Sequence, residues 1–393
     1  MARSSALRQV DPAPSYVTFA RPSIERGEID DVIETLASGW LTTGPRVQRF
    51  EREFAAYVGA REAVAVNSCT AGLHLSLLAS GIGGGDEVVT TPLTFCATAN
   101  TVIHTGARPV FADVDPVTMN LDPAAAAAAV TPRTRAVLPV HFAGRPVDIG
   151  AFRALTARHR LVYIEDAAHA VETVHPEGKV GTTADFTCFS FYATKNLTTG
   201  EGGMITTASP EKAQWLRTAA LHGLSRDAWK RYGPDGPAPY EVVMAGFKYN
   251  MMDLQAAIGL RQLARLDEMA ARREAIWRAY DEALADLPLV RPAPAEAGTV
   301  HARHLYTVLV DPTICGWTRA ELQQALHARG IGTSVHFQAL HLHAFYAERY
   351  GLARGMFPHA EYISDHTLSL PLSAALTGAE FDQVIDALRA IFA

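Results

Sequence analysis

Between residues 62 and 207, short β-branched runs alternate with stretches of helical spacing, and no other feature restricts the fold so strongly. Strands separated in this way by helices are buried on both faces, which requires a mostly parallel central sheet covered by helices on either side. Six runs read as strands: 63–66, 87–90, 109–114, 136–142, 161–165 and 186–191, with 204–207 as a seventh, antiparallel edge strand or hairpin partner. Asp122 as N-cap and Pro123 in the first turn make the alanine run 124–129 a short helix, not a low-complexity tract. From Leu254 to Trp277 apolar residues recur mostly every three or four positions, which predicts one long helix leaving the α/β unit. Segments 304–311, 318–329, 331–337, 368–372 and 380–392 then predict a smaller α+β unit. The expected organisation is a large α/β domain over residues 16–252 and a small C-terminal α+β domain over 253–393, opened by the linking helix.

The 393 residues suffice for both units, and 48% hydrophobic with 19% charged residues is an ordinary globular balance. A formal charge of −6 argues against nucleic acid or an anionic membrane as partner, since either needs clustered Lys and Arg. The first sixteen residues lack the apolar core of a signal peptide, and no stretch approaches the length of a membrane helix. Cys69, Cys96, Cys188 and Cys315 are spaced too irregularly for a disulfide framework or a zinc knuckle. A cytoplasmic address is therefore expected.

The chemistry centres on two residues. Lys195 lies in the run Phe-Ser-Phe-Tyr-Ala-Thr-Lys-Asn (189–196), followed by the flexible Gly-Glu-Gly-Gly of 200–203, and Asp166 closes the apolar run 161–166. A lysine amine beside a Gly-rich turn can condense with an aldehyde, and a carboxylate at a strand end can keep a pyridine nitrogen protonated. Together they form the arrangement that holds pyridoxal phosphate. At 65–74 a strand passes directly into a helix, so N–H groups around Ser68, Cys69 and Thr70, with the Ser68 and Thr70 hydroxyls, offer a phosphate site. Taken alone, Ser68 and Thr70 read more simply as helix caps; Lys195 and Asp166 tip the balance.

Phe95 opens the helix after the second strand, at the carboxyl edge of the sheet, where it can stack on a cofactor ring or fill the core. His169, three residues past Asp166, can donate to the ring's phenolic oxygen or serve in packing. Ser190 offers a further phosphate hydroxyl or is an ordinary strand serine. His336, His341 and His343 lie in a run without a carboxylate or cysteine, so no metal is expected there, and His336 is expected to face a substrate.

These ordered segments resemble the sugar aminotransferases of the DegT/DnrJ/EryC1/StrS group, within the aspartate-aminotransferase (type I pyridoxal-phosphate) fold. The resemblance spans nearly the whole chain, through Ser-Gly-Trp-Leu-Thr-Thr-Gly-Pro (38–45), Ile-Glu-Asp-Ala-Ala-His-Ala (164–170), 189–196, Gly-Phe-Lys-Tyr-Asn-Met (246–251) and Gly-Ile-Gly-Thr-Ser-Val-His (330–336). It implies that Lys195 attaches the cofactor, that Asp166 pairs with the ring nitrogen, and that His169 approaches the phenolic oxygen. It also implies that Thr70 and Ser190 hold the phosphate, and that Asn250 reaches the cofactor of a second subunit in a homodimer with shared active sites. Two positions depart from the group's commoner pattern: Cys69 stands where many relatives have glycine, and Lys248-Tyr-Asn250 where many have Asn-Tyr-Arg. The second variant, with His169, resembles enzymes that aminate a sugar C4 ketone. Lys195 places the chain outside the dehydratase branch, which has histidine there.

The implied activity moves an amino group from L-glutamate to a keto sugar, most simply a nucleotide-linked 4-keto-6-deoxyhexose, in amino-sugar biosynthesis of the antibiotic type. Arg226, Lys230, Arg231 and Lys248 are candidates for the diphosphate, or else form a solvated loop. Lys195 would then carry protons, a task that needs a pKa lowered by burial and a cationic neighbour. A keto-cyclitol acceptor is the alternative on the same machinery, and a cofactor-bound regulatory protein without turnover is the alternative of another class.

Overall fold

The computed structural model describes residues 16–224 and 241–393. Its centre is a seven-stranded sheet of β1 (Glu62–Val66), β2 (Glu87–Thr90), β3 (Arg108–Phe111), β4 (Thr134–Leu138), β5 (Val162–Asp166), β8 (Phe186–Ser190) and β9 (Gly203–Thr207), ordered β1-β9-β8-β5-β4-β2-β3. A short hairpin of β6 (Val174–His175) and β7 (Gly178–Lys179) lies between β5 and β8 in the chain. The pairs β3–β2–β4–β5–β8 are parallel, while β9 is antiparallel to both β8 and β1. Strand 203–207 is thus an interior member of the sheet, not an edge. Once the chain has turned back after Lys195, that slot satisfies the ladder groups of both neighbours.

Alternation along the strands divides the core into two layers. On β1, Ala63 and Ala65 face one side with Phe50, Phe54, Phe189 and Met204, while Val64 and Val66 face the other with Leu73, Leu77, Ile164 and Ile205. The first layer is covered by helices Pro45–Val58 and Asp253–Ala264, the second by helix Cys69–Ala79. Helix Pro45–Val58 has proline at its first position and ends at Gly59 with φ 81°, a conformation that glycine adopts without strain. Each phenylalanine buried in the first layer contributes roughly 1.5–3 kcal/mol.

The long helix predicted over 254–277 is two helices, Asp253–Ala264 and Leu266–Ala283, interrupted at Arg265 (φ −106°, ψ 5°). There the Arg265 guanidinium reaches Glu28 (2.7 Å) and the Ser23 carbonyl (2.9 Å) in the amino-terminal segment. In the C-terminal part, β10 (Tyr306–Leu309) and β11 (Thr367–Leu370) pair antiparallel over a separate apolar cluster that includes Ile276, Tyr280, Leu322 and Leu388. The extended run at 331–335 is not a strand. It makes two isolated bridges, Val17 with Ile331 and Ser334 with Ser369, which bring 334–337 over the carboxyl edge of the large sheet. Among the described residues no helix is long and apolar enough to cross a membrane.

Candidate active site

Because the parallel strands point the same way, the segments leaving β1, β2, β5 and β8 converge at one edge of the sheet. There they enclose a cavity of about 630 Å³ lined by Ser68, Cys69, Thr70, Phe95, Asp166, His169, Ser190, Lys195 and His336. Nine residues singled out in five separate stretches of sequence thus meet in one place.

Asp166 ends β5 and is buried. Its carboxylate accepts hydrogen bonds from Thr98 Oγ1 (2.8 Å) and the Ala168 N–H (3.1 Å), and Cys69 Sγ lies 3.9 Å away. Burial nonetheless pushes its pKa up, and these donors together with Lys195 offset that only in part. An enclosed carboxylate in that condition is only partly compensated and can take a further cation. The protonated nitrogen of a pyridine ring would supply one, so the residues fit pyridoxal phosphate. Thr98 escaped the sequence reading. Its one signal was the four-residue spacing from Thr94, just ahead of the helix Cys96–His104, to Thr98 in its first turn, where their hydroxyls meet at 2.8 Å.

Lys195 sits on the excursion between β8 and β9, whose base is closed by the Phe191 N–H to the Gly202 carbonyl and the Thr199 N–H to the Phe191 carbonyl, both 2.9 Å. Burial lowers its pKa to about 8, while the neighbouring Asp166 and Cys69 act in the opposite sense. Desolvation therefore produces the shift, and no cationic neighbour contributes to it. His169 accepts the Ala143 N–H at Nδ1 (3.2 Å), so the neutral ring carries its proton on Nε2. Burial, with Lys195, His304 and His336 nearby, holds its pKa well below the ordinary histidine value, and the ring is a neutral donor. The turn that presents that N–H needs Gly144, at φ 91°, because a Cβ there would lie 2.8 Å from the His169 carbonyl oxygen.

At the opposite end, Ser68 is the N-cap of helix Cys69–Ala79, accepting the Ala71 N–H at 3.1 Å while its hydroxyl donates to Asn67 Oδ1 at 3.3 Å. The capping role is thus realised, and Thr70, exposed to the cavity, is the freer hydroxyl. Cys69 is in ordinary helical geometry, so no glycine is needed there, and its thiol turns inward to the Cys188 carbonyl. Gly203 is required instead, since a Cβ on it would stand 2.6 Å from the Ser68 carbonyl carbon. Ser190 Oγ accepts the Tyr192 N–H at 3.4 Å. Among the described lining residues, Lys195 is the one Lys or Arg.

Other expected residues lie elsewhere. Lys248 and Asn250 are outside the cavity lining; Lys248 Nζ donates to Asn250 Oδ1 and Asn250 Nδ2 to Thr43 Oγ1, each at 2.6 Å. Arg226, Lys230 and Arg231 lie outside the described residues. His336 Nδ1 is 2.8 Å from Ser369 Oγ, and burial beside Lys195 lowers its pKa to about 3, so it is neutral. Phe95 is 60% exposed and Tyr192 48% exposed, both at the cavity, as are Glu201 and Phe337, which the sequence reading passed over. His341 pairs with Glu361 at 3.0 Å, well separated from it in sequence.

Comparison with known proteins agrees with this geometry. The model of the DegT/DnrJ/EryC1/StrS aminotransferase family matches residues 22–389. The spore coat polysaccharide biosynthesis protein SpsC of Bacillus subtilis (strain 168) is 52% identical over 378 residues, 96% of this chain and 97% of its own. The aminotransferase TlmJ from Streptoalloteichus hindustanus superposes with a TM-score of 0.87 at 36% identity, covering 95% of this chain and 98% of its own. Spr1654 from Streptococcus pneumoniae, solved in a pyridoxal-phosphate form, gives 0.88 at 31% identity over 96% and 98%. The chain belongs to the DegT/DnrJ/EryC1/StrS aminotransferase family and is a pyridoxal-phosphate-dependent sugar aminotransferase.

Proposed function

We propose that the protein transfers the amino group of L-glutamate to the ketone of a nucleotide-linked 4-keto-6-deoxyhexose, in two half-reactions at one site. The observation that carries this reading is the meeting of Lys195, with its pKa lowered to about 8, and the buried Asp166 carboxylate in one cavity. Bound pyridoxal phosphate supplies an aldehyde that takes up amines and a ring that accepts electrons. Lys195 holds the cofactor between turnovers and, once released, takes a proton from the Cα of glutamate and later delivers one to the sugar carbon receiving nitrogen. Asp166 keeps a proton on the ring nitrogen, and His169 donates its Nε2–H to the phenolic oxygen. Thr70, Ser190, Ser68 and the N–H groups near Cys69 receive the phosphate, with Phe95 stacked on the ring. His336, Lys248 and Arg231 meet the substrate.

With Lys195 given to the cofactor's aldehyde, a dianion answered among the described lining residues by hydroxyls and N–H groups supports a second subunit, whose Asn250 completes the phosphate site. Helix Arg26–Ser38 carries Ile29, Ile33 and Leu36 on one face, 46%, 53% and 53% exposed, an apolar stripe that a second copy would cover. The exposed ring of Tyr192 gives a flat apolar face at the cavity mouth for a sugar nucleotide, and the cavity volume falls in the usual range for small-molecule sites. The test offers the enzyme glutamate with nucleotide-linked 4-keto-6-deoxyhexoses and with keto-cyclitols, and follows product mass. Amination of the nucleotide sugar is expected; turnover of the cyclitol alone would replace the acceptor named here.

A further inference from the structure

Several helical serines and threonines in this chain spend their hydrogen on their own helix. Thr35 donates to the Asp31 carbonyl (2.7 Å), Ser76 to Gly72 (2.8 Å), Thr156 to Phe152 (2.9 Å) and Thr101 to Thr98 (3.1 Å). Thr98 does not. Its hydroxyl leaves helix Cys96–His104 and donates to Asp166 Oδ2 at 2.8 Å. The helix starts too late to offer it a carbonyl four residues back, and what stands there is another hydroxyl, Thr94 Oγ1, also at 2.8 Å. Both threonines are buried, and Thr94 lines the cavity. Each hydroxyl has a single hydrogen. With Asp166 ionised, its carboxylate only accepts, so the Thr98 hydrogen goes to Asp166 and Thr98 Oγ1 accepts from Thr94. One arrangement remains, running from Thr94 through Thr98 to Asp166.

The two carboxylate oxygens are held differently. The Ala168 N–H and Cys69 Sγ both address Oδ1, so Thr98 is the one hydrogen-bond donor to Oδ2 among the described residues. Lys195 and His141 act on the group through charge alone. Hydrogen bonds in series polarise one another, so a Thr98 hydroxyl that accepts from Thr94 is a stronger donor than one that does not. Without Thr94 the Thr98 oxygen would have no donor in a dry setting, and nothing would hold its rotor toward Asp166. We infer that Thr94 is a positioning residue: its hydroxyl keeps the Thr98 hydrogen on Asp166 Oδ2 and so steadies the carboxylate that meets the ring nitrogen. The inference rests on the role given to Asp166 above.

The test compares Thr94→Val, which keeps the shape and removes the donor, with Thr94→Ser, which keeps the donor, each made in the parent and in a Thr98→Val background. Two readouts are taken on the holoenzyme: the NMR signal of the ring nitrogen in isotope-labelled cofactor, and cofactor affinity. In the parent, Thr94→Val is expected to move the ring nitrogen toward its unprotonated signal and to weaken affinity about threefold, and Thr94→Ser to keep both. In the Thr98→Val background, Thr94→Val is expected to change affinity by less than about 1.5-fold, because a residue that acts through Thr98 has nothing left to act on. Unchanged readouts for Thr94→Val in the parent, failure of Thr94→Ser to keep them, or an undiminished loss in the Thr98→Val background each overturns the inference, since Thr94 would then only fill space. If Thr94→Val does not fold, Thr94→Ala takes its place with the same expected and overturning results. Asp166→Asn is measured alongside. If it leaves the ring-nitrogen signal unmoved, the role given to Asp166 falls, and the string is decided by the carboxyl titration of Asp166, followed by carbon NMR in cofactor-free protein. There Thr94→Val should raise the midpoint in the parent and leave it unmoved in the Thr98→Val background; an unmoved midpoint in the parent overturns the string as well.

Discussion

At the Asp166 end of the cleft the carboxylate is gripped from within its own chain, by Thr98 Oγ1 and the Ala168 N–H, whereas at the Ser68–Thr70 end hydroxyls and helix N–H groups face open volume with Lys195 as the one strong cation among the described lining residues. The difference follows from position. Asp166 terminates an interior strand flanked by β4 and β8, so neighbours can close around it, while Ser68 follows β1 at the margin of the sheet, where the chain's own segment 248–250 lies alongside through the Asn67 N–H to the Tyr249 carbonyl (2.7 Å) and a Val66–Asn250 bridge. A group that must stay charged in a dry setting is served by internal hydrogen bonds; a dianion is met by hydroxyl and N–H donors left facing the cavity.

The largest expected effect tests the open end. Lys195→Ala should lower amino transfer by at least about a thousandfold and remove the borohydride-reducible cofactor adduct. Coexpressing it with Asn250→Ala should restore about a quarter of the sites, since half of randomly paired dimers hold one intact site. Recovery no greater than the sum of the separate variants would show that the phosphate end is complete within one chain, and the contrast would collapse. A smaller effect concerns the closed end. Thr98→Val removes one donor from Asp166, pushes that carboxyl's pKa further up, and should weaken cofactor affinity about tenfold in a fluorescence titration. Unchanged affinity would mean that the internal hydrogen bond is idle. The smallest effect is a pH displacement. The unprotonated amine is the nucleophile, so cofactor uptake by cofactor-free protein should quicken as pH rises and level off above about 8, well short of the ordinary lysine value of 10.5. Asp166→Asn should move that plateau lower, because the carboxylate favours the ammonium form; a plateau near 10.5 would remove burial as the tuning device.

What the sequence disclosed was whatever is written locally. Lys195 and Asp166 each stand in a short distinctive run, and strand ends followed by small polar residues placed them at one edge of the sheet. What it concealed depends on pairings between remote segments. Thr98 matters through Asp166, sixty-eight positions on, and a lone threonine carries no sign of such a partner. Strand 204–207 was expected as an antiparallel edge or hairpin partner; its pairing with β8 is that hairpin, and only the second pairing, with β1, went unforeseen, since periodicity does not say which neighbours flank a strand. The helix break at Arg265 was equally silent, arising from contacts with Glu28 and Ser23 that periodicity ignores. Arg231 and its neighbours, proposed for the substrate diphosphate, fall outside the described residues.

Gly203 carries a last consequence. With no side chain of its own, it lets the return strand press against the backbone of Ser68 and Cys69, so the spacing between the lysine-bearing excursion and the phosphate-facing turn is dictated by adjacent rungs of a ladder. A change at the exposed Tyr192 leaves that ruler untouched, because no rung of the ladder passes through it.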